Sequence, residues 1–292
     1  MLKVRFFLLI ICIFSLVSCG DSSVKVNIQS DIPQIEIPKK SLVIVKKPEK
    51  FKQISLNRLI KKYKSKKPKR FSPWIWGTKR RIRTKNKIIA LTFDACGGKG
   101  GSGYDNKLIN YLRREKIPAF LFLSGRWIKR NRKVTEELAR DPLFRIGNHG
   151  MYHRPASITG KKIYKRTGTY NITELYYEIY SSARMIHKIT GKVPRLYRPG
   201  TAFIDDVAMK IVRDMKFKVV SYSVNPGDAE LKLPLNVMIG RFFIKTHPGA
   251  IVILHMNKPK GKTLKILQVV VPSLQKMGYK FVQLDNYKNK LK

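Results

Sequence analysis

The residues of this chain best suited to chemistry are carboxylates, imidazoles and a guanidinium that stand after short apolar runs. The carboxyl ends of parallel strands meet on one face of a β/α barrel, so polar side chains that follow the strands converge there. Side chains that can act as acid, base or metal ligand at these points predict metal-assisted hydrolysis. The residues are Asp94, Asn148, His149, His153, Arg198, Asp228 and His255.

Two of these motifs are informative on their own, although each has a purely structural alternative. Asp94 ends the apolar run Ile88 to Phe93 and precedes a glycine-rich turn, so it is either a reactive acid or a cap for that turn. His149 and His153 stand four residues apart, close enough to chelate one divalent ion if the segment turns helically; otherwise they only hydrogen-bond. With a zinc ion and bound water, Asp94 would serve as base and His255 as acid.

The spacing of apolar runs predicts an α/β fold, because short strand patterns alternate with helical patterns. A closed or nearly closed β/α barrel is the simplest architecture, with an open doubly wound sheet as the alternative. Seven strands are predicted, at 88–93, 119–123, 145–147, 195–197, 218–223, 250–254 and 280–284.

The N-terminal region is typical of an exported, membrane-anchored protein. Basic residues precede an apolar run from Phe6 to Val17 that is too short to span a bilayer, and Cys19 follows it. Residues 1–18 therefore read as a lipoprotein signal peptide and Cys19 as the lipidated residue, with an ordinary cleaved signal as the alternative. We expect a bacterial envelope location outside the cytoplasm.

Charge divides the rest of the chain. Residues 20–85 carry twenty Lys or Arg against four Asp or Glu, which predicts a basic, largely disordered tether over 19–85 before a domain at 86–292. The formal net charge of +43 favours polyanionic partners, or reflects a lysine-rich proteome. Export and the absence of a compact nucleic-acid-binding motif argue against nucleic acid as a partner.

Cys96 is the only thiol expected outside the signal and lipidation site, so no disulfide framework is predicted.

Five motifs occur in the order and spacing of the polysaccharide deacetylases, the NodB-homology or carbohydrate esterase family 4 proteins. The segment from Lys87 to Leu284 resembles this family through T-F-D at 92–94, N-H-G-M-Y-H at 148–153, L-Y-R-P at 196–199, S-V-N-P-G-D at 223–228 and I-L-H at 253–255.

The resemblance implies a distorted seven-stranded β/α barrel that removes N- or O-acetyl groups from sugars with a divalent metal, zinc or cobalt among the candidates. It gives Asp94 the role of base, Arg198 that of orienting the base, His255 that of acid and Asp228 that of tuning His255. His149 and His153 correspond to metal ligands. Substrate contacts are expected at Asn148, Pro199, Thr201 and Asn225.

The chain also departs from the family pattern. The family usually has a second aspartate as third metal ligand where this chain has Ala95. Cys96 or Asp105 are candidate replacements, and a site of two histidines completed by Asp94 and water is favoured. Gly200 to Ala202 and Ala229 differ from the family's usual substrate floor, which affects the expected substrate more than the reaction.

The sequence therefore predicts an envelope deacetylase acting on peptidoglycan or an exported polysaccharide, and the basic charge favours an anionic glycan. Ala95 suggests a first alternative, a catalytically inactive glycan-binding lipoprotein on the same barrel. A second alternative is hydrolysis of a different C–N bond.

Overall fold

The structure is a computed structural model that describes residues 49–292. The signal peptide and Cys19 lie outside the described residues. Among the described residues, no helix is long and apolar enough to cross a membrane.

Eight helices and eleven strands make up the described part of the chain. The helices are α1 (Leu56–Tyr63), α2 (Asn106–Arg114), α3 (Gly125–Arg130), α4 (Arg132–Arg140), α5 (Ile172–Thr190), α6 (Asp206–Asp214), α7 (Leu235–Lys245) and α8 (Thr263–Lys276). The strands are β1 (Phe71–Ser72), β2 (Ile88–Ala95), β3 (Ala119–Leu123), β4 (Phe144–Asn148), β5 (Lys162–Ile163), β6 (Arg166–Thr167), β7 (Leu196–Tyr197), β8 (Ile204–Asp205), β9 (Lys218–Val219), β10 (Ala250–His255) and β11 (Lys280–Phe281).

Seven of these strands form one parallel sheet, which confirms the predicted fold class and the seven predicted strands. The order is β10-β2-β3-β4-β7-β9, and β11 pairs with the start of β2. The chain after β9 closes the sheet: Val220 N donates to Tyr197 O of β7, and Ser223 N donates to Ile251 O of β10. The result is a distorted β/α barrel whose strand ends share one mouth.

The central strand β2 shows how the barrel is packed. Its residues Ile89, Leu91, Phe93 and Ala95 belong to the apolar layer between the sheet and helices α2 and α8. Ile88 and Ala90 belong to the barrel interior with Phe120 and Phe122. Because side chains alternate along a strand, the interior row continues through Thr92 and Asp94 to the mouth.

The boundary between tether and domain differs from the sequence prediction. Among the described residues, α1 and β1 both lie within the predicted tether. Leu59 and Tyr63 are buried on one face of α1 against a cluster from α5 and α6, and β1 pairs with β8. The basic residues of α1 occupy its other face, so residues 56–63 form an amphipathic helix that packs on the domain, while residues 19–48 of the predicted tether lie outside the described residues.

Candidate active site

The proposed reactive groups meet at the mouth of the barrel because their strands are neighbours. Asp94 ends β2 and His255 ends β10, and the register of the two strands places these residues side by side. Asn148 ends β4, and Arg198 directly follows β7. The expected convergence of these residues at one face of the sheet is what the structure shows.

Asp94 is held by Arg198. The Arg198 Nη1 donates to Asp94 Oδ1 at 2.7 Å, and both side chains are buried. The guanidinium also donates to the carbonyl oxygens of Val220 and Ser221 and lies 4.2 Å from the Phe122 ring centroid. These contacts fix the guanidinium in one position. Asp94 Oδ1 is therefore occupied by its hydrogen bond with Arg198, and Oδ2 is the oxygen that can accept a proton.

His149 and His153 meet without the helical turn that their spacing suggested. Gly150 and His153 have positive φ angles of 75° and 58°, which curl the loop until the two ring centroids are 4.7 Å apart. His149 Nδ1 lies 2.8 Å from Arg198 O, which can only accept, so Nδ1 carries the hydrogen and Nε2 is left with its lone pair.

Both rings present an unsatisfied nitrogen. His149 Nε2 and His153 Nδ1 are buried and have no hydrogen-bond partner among residues 49–292. Burial opposes the charge of His149, but the Asp94 carboxylate, whose Oδ2 lies 3.5 Å from Nε2, raises its pKa. Burial lowers the pKa of His153 and so favours its neutral form. Buried polar atoms normally have hydrogen-bond partners, so two unpartnered imidazole nitrogens side by side indicate a site where a metal ion can bind.

Cys96 is the third donor that the structure brings to these histidines. The Cys96 Sγ and one ring nitrogen from each histidine all lie within 4.8 Å of one another. Burial raises the pKa of the Cys96 thiol, but the neighbouring imidazole rings, His153 foremost, outweigh burial and leave the pKa well below its ordinary value. A thiolate and two imidazoles suit zinc or cobalt, so the donor set fits the metal that the sequence predicted.

The composition of this donor set differs from the favoured sequence interpretation, in which Asp94 completed the site. Cys96 directly follows β2 and its sulfur lies beside the two histidines, while Ala95 packs in the apolar layer behind the strand. Asp105, the other alternative, caps α2 by accepting from Leu108 N and is buried there. Asp94 is therefore left to act as a base beside the metal donors.

His255 is paired with Asp228 on the other side of the mouth. Its Nδ1 lies 3.0 Å from Asp228 Oδ1, while Asp228 Oδ2 accepts from His255 N and from Thr263 Oγ1 at 2.7 and 2.9 Å. Burial opposes the charge of His255, but the Asp228 carboxylate outweighs burial and holds the His255 pKa well above its ordinary value. The ring thus keeps a proton that it can donate.

The four residues predicted to contact substrate fall into two groups. Asn148 is corrected: it is fully buried, donates to Ile179 O and accepts from Gly150 N, so it holds the histidine loop and has no polar atom left for substrate. Pro199 is also buried and only shapes the turn that follows. Thr201, with φ of 65°, and Asn225 are partly exposed, so both remain available for substrate.

Glu178 is a site residue that sequence reasoning missed. From α5 it accepts hydrogen bonds from Tyr152 N and Arg154 N, the two residues that flank His153. Burial raises its pKa to about 6, against the hydrogen bonds that lower it. The sequence does contain a signal for it: Glu178 lies on the apolar face of a helical pattern, and an acidic residue is rarely buried unless it has hydrogen-bond or charged partners.

An aromatic wall beside the mouth was missed as well. Trp74, about half exposed, packs edge-on against Tyr222, with ring centroids 6.5 Å apart. The carbonyl oxygen of Ser221, the residue before Tyr222, accepts from Arg198 Nη2, so Tyr222 borders the reaction centre. Aromatic faces of this kind suit the apolar face of a sugar ring.

Comparison with known proteins agrees with this geometry. Residues 81–220 match the sequence profile of the family described as polysaccharide deacetylase. A peptidoglycan-N-acetylglucosamine deacetylase of Bacillus cereus is 26% identical over 70% of this chain and 89% of its own length.

Solved structures share the fold. A pseudoenzyme of the CE4 family from Bacillus anthracis aligns with a TM-score of 0.60 at 24% identity, over 71% of this chain and 67% of that one. A mutant of the same pseudoenzyme with restored enzymatic activity aligns equally well at 25% identity, over 71% of this chain and 70% of that one. A family 4 acetyl xylan esterase of Clostridium thermocellum in complex with cobalt aligns with a TM-score of 0.57 at 20% identity, over 70% of this chain and 91% of that one.

Proposed function

Because this chain belongs to the polysaccharide deacetylase family, carbohydrate esterase family 4, we propose that it is a metal-dependent hydrolase that removes N-acetyl groups from an envelope glycan such as peptidoglycan. The observation that carries the proposal is the arrangement at the barrel mouth: a base held by an arginine and an acid held by a carboxylate flank three metal donors. The similarity to a peptidoglycan deacetylase supports the substrate class.

We assign the chemical steps to residues of this chain. A divalent ion held by Cys96, His149 and His153 would polarise the acetyl carbonyl and lower the pKa of a water molecule. Asp94 Oδ2 takes the proton of the attacking water, while Arg198 holds the carboxylate in place. His255 Nε2 gives its proton to the departing amine, and Asp228 stabilises the charged ring until then.

Acetate release tests the proposal. We expect a chain that begins at residue 20, loaded with zinc or cobalt, to release acetate from peptidoglycan and from N-acetylglucosamine oligomers. Asp94→Asn removes the base, so kcat should fall by about a hundredfold or more. Asp285→Asn, which removes the same charge beyond the opposite end of the barrel, is the matched control and should keep kcat.

Metal spectroscopy tests the assignment of Cys96 separately from activity. Cobalt(II) bound to the protein should show a near-ultraviolet thiolate-to-cobalt charge-transfer band that disappears in Cys96→Ser. Cys96→Asp should still bind cobalt, without the band, because a carboxylate is also a suitable ligand. A cobalt complex of the unaltered protein that lacks this band would refute Cys96 as a ligand and favour Asp94 in its place.

A catalytically inactive glycan-binding protein is the second candidate, because Ala95 stands where the family usually has a ligand and a fold relative is a pseudoenzyme. The presence of Asp94, Arg198, Asp228 and His255 speaks against it, since binding alone needs neither base nor acid. If the unaltered protein and Asp94→Asn release acetate equally slowly while both bind glycan, the inactive alternative holds.

We also propose that the protein is anchored in the bacterial envelope through Cys19, on the basis of the sequence pattern of residues 1–19. Labelled palmitate should be incorporated into the full chain expressed in bacteria and not into Cys19→Ser. The substituted protein should also leave the membrane fraction, because without Cys19 it carries no acyl chain to anchor it.

A further inference from the structure

Beside the barrel mouth lies a large basic groove that the mechanism does not use. It has a volume of about 1260 Å³, above the roughly 300–1,000 Å³ of small-molecule pockets, so it has room for several sugar units. Its walls are the loop 98–103 after β2, the end of α3, and the loop 257–261 after β10. The loops 98–103 and 257–261 follow the two strands that carry Asp94 and His255, so the groove lies at the same end of the barrel as the reaction centre.

The charges in the groove have one sign. Six lining residues are basic and none is acidic: Lys99, Arg126, Lys129, Arg130, Lys258 and Lys260. None of the six forms an ion pair within residues 49–292, although this part of the chain contains other pairs at the surface. Six unneutralised cations around one concave surface concentrate a positive field there.

The groove is also held in shape. The loop 98–103 is fixed by side-chain donors from both walls: Trp127 Nε1 to Gly103 O, Asn131 Nδ2 to Ser102 O and Asn257 Nδ2 to Gly101 O. Gly98, at a φ of 81°, has no side chain, and the Arg126 guanidinium lies where its Cβ would be. A rigid loop loses little entropy when a ligand binds to it.

Two buried polar atoms of the groove residues are unpartnered among the described residues. They are Arg126 Nη2, a charged donor, and Asn257 Oδ1, an acceptor. An anionic group near the guanidinium and a hydroxyl near the amide would supply what is missing.

We propose that this groove binds a negatively charged stretch of the glycan next to the acetylated sugar, through its carboxylate or phosphate groups. The proposal rests on the proposed function only in taking a glycan as the ligand. A nucleic acid is disfavoured because no aromatic side chain lines the groove to stack on bases. The position of the groove at the same end of the barrel as Asp94 and His255 favours a polymer that can also reach the reaction centre.

Binding without turnover tests the proposal, so its failure is distinct from failure to release acetate. Fluorescence polarisation would follow labelled oligogalacturonate, oligo(glycerol phosphate) and a neutral chito-oligomer of matched length on the full chain. We expect the unaltered protein to bind at least one anionic oligomer about tenfold or more tightly than the neutral one, with affinity falling as salt rises. The carboxylate and phosphate arms identify which group the groove prefers.

A matched pair of triple variants locates the effect. K99Q/K258Q/K260Q removes three charges from the groove and should weaken anionic binding by about tenfold. K188Q/K276Q/K280Q removes three exposed charges from the opposite end of the barrel and should change it by less than about twofold. Equal losses in both triples, no loss in either, or equally tight binding of a single-stranded oligonucleotide would each overturn the proposal.

Discussion

Asp94 and His255 are neighbours on adjacent strands, yet their environments assign them opposite tasks. Arg198 donates a hydrogen bond to the carboxylate of Asp94, whereas Asp228 stabilises the protonated form of His255. Each partner is itself fixed, Arg198 by backbone carbonyls and Asp228 by Thr263 and the backbone of His255. In the proposed reaction, the charge of the neighbouring side chain sets the task of each residue: the Arg198 guanidinium is beside the base Asp94, and the Asp228 carboxylate is beside the acid His255.

Replacing Asp228 should move the pH dependence of the reaction. A general acid works while it is protonated, so activity is present below the His255 pKa and is lost as pH rises through it. Asp228→Asn removes the charge that raises this pKa, and the alkaline limb of kcat/KM should move down by about one to three pH units. Thr263→Val, which keeps the charge of Asp228, should move it much less. An alkaline limb unchanged by Asp228→Asn would contradict the acid role.

The end of β2 explains how the proposed metal site could form without the usual second aspartate. Cys96, directly after β2, lies beside His149 and His153, while Ala95 is fully buried in the apolar layer under the helices. In the proposed site the third ligand is therefore shifted by one residue along the chain, from position 95 to position 96.

An aspartate at position 95 should not restore a metal site in this chain. Ala95→Asp would place a carboxylate among apolar side chains, and the free energy of unfolding should fall by about 3 kcal/mol or more. Cobalt affinity should not rise. Urea denaturation and cobalt titration measure the two effects, with Ala95→Val as a control for added volume alone. Tighter cobalt binding in Ala95→Asp would show that β2 can turn its end inward.

Helix α5 contributes to the site through Glu178, which holds the backbone on both sides of His153. Its pKa of about 6 lies above the ordinary value of 4.5, so between these two pH values the folded protein holds the proton more tightly than the unfolded chain. The free energy of unfolding should therefore fall by about 2 kcal/mol as pH rises across this interval.

Glu178→Gln should remove that decrease because glutamine does not titrate. Urea denaturation at pH 4.5 and pH 7 would compare the decrease in the unaltered protein, in Glu178→Gln and in Glu230→Gln, which changes an exposed acid. A decrease that survives in Glu178→Gln would assign the pH dependence to another group.

At the scale of the whole molecule, the basic N-terminal segment is part of the folded unit. Tyr63 and Lys62 of α1 both contact Asp214 of α6, and Leu59 is fully buried between helices. Lys69 and Arg70 donate through their backbone N–H groups to Asp206 at the start of α6. The segment thereby covers one side of the barrel and brings Trp74 to the aromatic wall.

Loss of this packing should destabilise the domain. Leu59→Ala should lower the free energy of unfolding by about 2–5 kcal/mol, because it opens a cavity in a fully buried cluster. Lys61→Ala on the exposed face of the same helix should change it by less than about 0.5 kcal/mol. A chain that begins at residue 86 should melt well below one that begins at residue 46. Equal melting temperatures would restore the predicted boundary.

The sequence alone determined the seven strands of the sheet and the meeting of Asp94, Arg198 and His255, because apolar runs specify strands and parallel strands end on one face. It could not decide which way Cys96 points, that the Asn148 amide bonds to the backbone, or that Glu178 supports His153. Nor could it show that α1 packs on the domain or that two separate loops and the end of α3 form one basic groove. Those features depend on distances between residues far apart in the chain, which only tertiary packing sets.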